Sequence, residues 1–160
     1  MFKSKVYLTL IVVVAILALG SAGLSRAATA NHLVISEVQI TGGTGKTNND
    51  FIELYNPTAS AINLNGYRLV KRTKTGNSDT LIKSWTSDTS IAAHGFYLWA
   101  NSDYADIPTA PDVVTTASIA DDNGVAIRRG ANDTGEIIDS VGWGECQNIF
   151  VETTAFPNNP

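Results

Sequence analysis

From residue 32 onward the chain runs in short apolar–polar alternations, each closed by glycine, asparagine, aspartate or proline. Runs of period two between turn residues predict strands, and no stretch after residue 30 keeps a helical period. The expected class is therefore all-β, a sandwich of short strands. His32 to Ile40 reads as the first strand, with Val34, Ser36, Val38 and Ile40 on one face and Leu33, Ile35 and Glu37 on the other. Phe51 to Tyr55 alternates more cleanly, with Ile52 and Leu54 on the face to be buried and Phe51, Glu53 and Tyr55 opposite. Asn56-Pro57 ends this strand, because proline lacks the ladder donor and pushes Asn56 away from helical geometry. Ile62, Leu64 and the turn signal Asn65-Gly66 then lead into Tyr67, Arg68, Leu69 and Val70.

The remainder reads as hairpins and loops. Lys71 to Lys74 is a basic run leading to a hairpin tip at Thr75 to Asp79. Thr80 to Trp85 is a return strand, with Leu81, Lys83 and Trp85 alternating against Ile82 and Ser84. Ile91 to Ala100 is a turn and strand, and Asn101 to Asp112 is a loop by its polarity and its prolines at 108 and 111. Val113 to Thr116 is short and β-branched. Asp121-Asp122-Asn123-Gly124 is a hairpin signal before Val125 to Arg129, and Asn132 to Gly135 is the next turn, before Glu136 to Trp143.

The sequence "DFIELYNP", a polar link and "INLNGYRL" resembles the core signature of the lamin-tail domain. "LVISEVQ" is similar to that family's opening strand, and "DDNGVAIRRGANDTGEIIDSVGWG" to its closing hairpin, so the likeness runs over roughly residues 32 to 150. It implies an immunoglobulin-like sandwich with structural and interactive rather than catalytic roles. It also implies a structural signature at Glu37, Phe51, Ile52, Glu53, Leu54, Asn56, Pro57, Leu64, Gly66, Tyr67, Leu69, Gly124 and Asp139. Family members of bacterial type usually continue past a Gly-x-Pro or Phe-Pro segment to a last short strand with a Ser-(Leu/Ile)-x-Arg signature. This chain stops at Phe156-Pro-Asn-Asn-Pro160. The likeness therefore implies a missing last strand and an unfilled edge near the first strand.

Residues 1–30 stand apart from the fold. Lys3 and Lys5 precede an apolar run from Tyr7 to Leu19, and Ala28-Thr29-Ala30 offers small residues at the spacing a signal peptidase reads. The expectation is an export signal cut after Ala30, with an uncleaved membrane anchor as the rival because Val6 to Leu24 nearly reaches a membrane span. The expected domains are thus 1–30 and 31–160, in an extracytoplasmic protein that is secreted or anchored at the cell envelope.

Removing that segment takes Lys3, Lys5 and Arg26 and no acid, so the formal charge moves from −4 to −7. An acidic surface repels nucleic acid and anionic lipid overall. About 130 residues suffice for one sandwich and are too few for two domains. Cys146 is the single cysteine, so no internal disulfide can form, and a packed small residue is its expected fate.

Candidate chemistry is sparse. Glu37 and Glu53 lie on strands expected to be neighbours. A carboxylate pair there can serve as acid and base or hold a divalent metal, but structural acceptance of hydrogen bonds from backbone or arginine is the expected role. Asp121, Asp122 and Asn123, or Asp103 and Asp106, lack the spacing of a calcium loop. Gly45-Lys46-Thr47 lacks the glycine a phosphate loop needs five residues earlier, where Ile40 stands. His32 and His94 have no nucleophile elbow beside them. The tryptophans at 85, 99 and 143, with Tyr55, Tyr67, Tyr97 and Tyr104, can stack on sugars or bases but are expected to pack the core. Lys71, Arg72 and Lys74 form the candidate binding patch, with a solvated hairpin tip as the plainer account. No catalytic residue, cofactor or metal is implied. The expected function is a non-catalytic binding, adhesion or structural module facing a protein or polysaccharide. The alternative is the accessory domain of a secreted hydrolase whose catalytic part lies past residue 160.

Overall fold

A computed structural model of the chain describes residues 29–158. The export segment expected over residues 1–30 therefore lies outside the described residues, apart from positions 29 and 30. The strands are β1 (Val34–Gln39), β2 (Phe51–Tyr55), β3 (Ile62–Asn63), β4 (Tyr67–Arg72), β5 (Thr80–Ser84), β6 (Ser90–Ile91), β7 (Phe96–Asn101), β8 (Val113–Thr115), β9 (Gly124–Arg129) and β10 (Glu136–Gly142). One sheet has the order β1-β2-β7-β8 and a second the order β10-β9-β4-β5, with β3 and β6 pairing separately. Ile52, Leu54 and Trp99 of the first sheet meet Leu69, Val125 and Ile127 of the second in one core, as a sandwich requires.

The alternation expected for β1 fails at one place. Ile35 pairs with Leu54 and Glu37 with Glu53, so Ser36 is an extra residue bulged from the ladder. A bulge resets the phase of every later side chain. Leu33 and Ile35 point inward before it, and Val38 and Ile40 after it. The single apolar face drawn through Val34, Ser36, Val38 and Ile40 is thus corrected. β5 departs similarly: Leu69 pairs with Lys83 and Val70 with Leu81, so Ile82 is the extra residue, and Ile82 and Trp85 are buried while Leu81 is exposed.

Two connections are fixed by the tertiary structure, the second of them against expectation. β8 runs parallel to β7. The long loop of residues 102–112 allows this by carrying the chain back along the sheet. The Asp112 backbone amide and carboxylate clamp its return, bonding the Leu98 carbonyl at 2.9 Å and amide at 2.7 Å. Asp121 to Gly124 is not a hairpin, since it delivers the chain from β8 of one sheet to β9 of the other. The hairpin proper lies between β9 and β10, around Gly130 to Gly135.

The second sheet is buried on both faces. Leu69 faces the main core, whereas Val70 and Ala126 pack with Phe150 on the far side. Residues 146–150 are strapped across that side: Asn148 Nδ2 donates to the Thr73 carbonyl at 2.9 Å, and the Gln147 amide to the Lys74 carbonyl at 2.8 Å. Cys146 is a free, buried thiol within this strap.

Candidate functional site

The signature residues Asn56, Gly66 and Asp139 fasten the fold. Asn56 is wholly buried, and its Nδ2 donates to the carbonyls of Ser60, Ile91 and Ala92 at 2.8, 3.1 and 2.9 Å. Its Oδ1 accepts from the Thr58 amide at 3.0 Å, so the chain turns at Pro57 around a single carboxamide. Leu64 and Leu69 have no solvent access. Gly66 has φ +86° and leads into Tyr67, whose ring lies 5.9 Å beneath the Arg129 guanidinium carbon. A side chain at Gly124 would meet Phe150 Cβ at 3.0 Å. Asp139 joins the two sheets by accepting from the Ile35 amide at 2.6 Å, and burial holds its carboxyl above the usual range.

The basic run does not form a patch. Arg72 is buried, with Nε 2.6 Å from the Asp79 carboxylate, and Arg128 reaches the other oxygen of that carboxylate at 2.5 Å. Both guanidinium groups lie over the Phe150 ring, at 5.2 and 5.5 Å. Lys71 faces the core side of β4 and donates to the Ser118 carbonyl, while Lys74 pairs with Glu145. Lys71, Arg72 and Lys74, expected as one basic patch, thus make three separate intramolecular contacts. Burial pushes the Asp79 carboxyl up, but the bonds from Arg72, the Asp133 amide and Arg128 outweigh it and hold the group below its ordinary value. Asp79 drew no attention in the sequence, because nothing in a hairpin tip announces a partner at Arg128.

A second buried carboxylate, also missed, sits where the sheets meet the β8–β9 crossover. Asp50 is fully buried. Its Oδ2 accepts from the Ile119 amide at 2.9 Å and its Oδ1 has no partner. Lys71 holds the carbonyl of Ser118, so the two sheets grip one peptide group from opposite sides. Burial raises Asp50 to about 6, against the bond from the Ile119 amide and the charge of Lys71.

The acids considered for calcium have other partners. Asp106 pairs with Lys46 at 2.9 Å, Asp103 accepts from Asn48 at 3.1 Å, and Asp122 accepts from the Glu145 amide at 2.8 Å. All three tryptophans are buried. Trp85 Nε1 donates to Tyr97, Trp99 to Thr115 and Trp143 to the Ala120 carbonyl.

What remains open is the outer face of the first sheet. Because β1, β2 and β7 pair in register, their outward residues form rows across the strands. Val34, Tyr55 and Phe96 make one row, and Glu37, Glu53 and Leu98 the next. Tyr55 and Phe96 stack at 4.7 Å with Phe96 58% exposed. Glu37 and Glu53 stand directly opposite each other. Glu53 accepts from the Ser36 hydroxyl at 2.7 Å, and no backbone or arginine donor reaches either carboxylate among the described residues. The donors expected from backbone or arginine are thus not found at these two carboxylates, and Glu53 is held by a hydroxyl of β1 instead. A groove of about 290 Å³ runs past these residues beneath the Ile107 to Ala110 turn, and its charged lining consists of Glu37, Glu53 and Asp112.

A second groove, of about 510 Å³, lies beside β1, where Ile35, Val38 and Ile40 face Val141, Trp143 and Phe156. β1 is an outer strand of its sheet, and the C-terminal segment bridges in parallel to Trp143 through Phe156.

The Lamin Tail Domain family model matches residues 26–145. The chain belongs to the lamin tail domain family. The match spans the Asn56 corner and the β9–β10 hairpin and stops short of the Phe150 strap that covers the second sheet. No curated protein matches the chain. The family and the sandwich support a structural or binding domain in general terms.

Proposed function

We propose that this lamin tail domain is a non-catalytic binding module, exported to the cell envelope, that meets a protein or polysaccharide through the outer face of β1, β2 and β7. The observation carrying this is the exposed Tyr55–Phe96 stack beside the groove at Glu37 and Glu53. Aromatic rings are costly to leave in water, and a row of them beside carboxylates without a cationic partner is what a recognition surface offers a partner. The positive, apolar and small-residue succession of residues 1–30 supports export.

The test has two arms. Expressed in a bacterial host, the protein is expected outside the cytoplasm with Asn31 as its first residue, and a full-length cytoplasmic product would count against export. Retention on isolated cell envelopes is expected for the wild type and lost in Phe96→Ala. Equal retention of the two would move binding off this face.

A further inference from the structure

We infer that the partner of this face is an extended polypeptide segment that places an arginine side chain between the Glu37–Glu53 pair and the Tyr55–Phe96 stack. The inference rests on the binding role proposed above and names its partner by charge. Like charges directly opposite on neighbouring strands repel, and Glu37 and Glu53 occupy such a pair. The Ser36 hydroxyl offers Glu53 one neutral hydrogen bond, and the third acid of the groove, Asp112, spends its carboxylate on the Leu98 amide at 2.7 Å. No lysine or arginine lines the groove, so the negative potential there is unopposed by its own walls.

Tyr55 is two residues from Glu53 on the same face of β2, one side-chain repeat away. A planar guanidinium can meet carboxylate oxygens with its edge and an aromatic ring with its face, which an ammonium does less well. The groove floor of Phe51, Leu98 and Phe96 suits the apolar neighbours of such an arginine. A neutral polysaccharide would use the rings and leave the repulsion between the two acids unrelieved.

A fluorescein-labelled peptide alternating valine and arginine, titrated with the exported chain and followed by anisotropy, tests this. Binding should weaken about tenfold or more in Glu37→Gln/Glu53→Gln and in Phe96→Ala. It should change little in Glu136→Gln/Glu152→Gln, which removes the same charge from exposed positions elsewhere. Equal weakening in the two double variants would reduce the attraction to net charge and overturn the inference. If the peptide does not bind but envelope polysaccharide is retained through Phe96, the arginine partner falls and the binding module stands. If the wild type retains neither, both fall.

Discussion

Arg72 Nε lies 2.6 Å from Asp79 Oδ1, and the Asp79 side chain has no solvent access. Arg128 approaches the same carboxylate, so one acid answers two guanidinium groups stacked over Phe150. Removing the acid leaves the buried Arg128 without a carboxylate and the buried Arg72 with only the half-exposed Asp133 at 3.5 Å. Asp79→Ala is expected to cost about 3–5 kcal/mol in urea unfolding. Because the folded group is held below its ordinary value, this stabilisation is complete above about pH 4 and is lost as pH falls further. An Asp79→Ala protein with an unchanged midpoint would remove the cluster from the stability of the domain.

Asp50 has the opposite sign. Its folded value of about 6 lies above the unfolded value, so the folded state takes up its proton first. Stability from this group is full below about pH 4 and falls as pH rises through 6, by at most about 3 kcal/mol. Asp50→Asn keeps an acceptor for the Ile119 amide and removes the charge. Its melting temperature should exceed that of the wild type at pH 8, and the difference between the two proteins should shrink toward pH 4. Parallel curves would show that Asp50 does not titrate in this range.

Asn56→Ala deletes the donor to three carbonyls at the Pro57 corner. The Ser60 carbonyl keeps the Thr58 hydroxyl and the Ala92 carbonyl the Gly95 amide, so the cost falls on the buried Ile91 carbonyl, about 1–3 kcal/mol, read as a lowered urea midpoint. A loss under about 1 kcal/mol would mean that water replaces the carboxamide.

Glu37→Gln should leave stability within about 0.5 kcal/mol of wild type, since Glu37 is exposed and accepts no bond from backbone or arginine. Removing its repulsion with Glu53 favours a small gain. A thermal scan showing a loss of several degrees would restore Glu37 as a structural acceptor.

Phe150→Ala tests the strap beyond the family match. Phe150 is fully buried against Val70, Ala126 and the two arginines, and a cost of about 3–5 kcal/mol is expected. Retention of wild-type stability would make residues 146–158 an appendage.

The amino-acid sequence alone determined the eight longer strands, the Asn56-Pro57 corner and the burial of Ile52 and Leu54, and missed the short β3–β6 pair. Each depends on neighbours within a few positions: alternation decides a face, and proline ends a ladder. The tertiary structure alone decided the phase of β1, because whether Ser36 pairs or bulges depends on the register with β2. It also decided that β8 runs parallel, since loop 102–112 fixes no direction until Asp112 bonds Leu98. The basic run read as a patch because charge is visible in a sequence and its neutralisation is not. Asp79 and Arg128 stand far apart in the chain, and only the pairing of β4 with β5 and β9 brings them to Arg72. The candidate face was hidden for the same reason. Tyr55 with Phe96, and Glu37 with Glu53, are adjacent only across strands, and contact between strands is a property of the folded sheet.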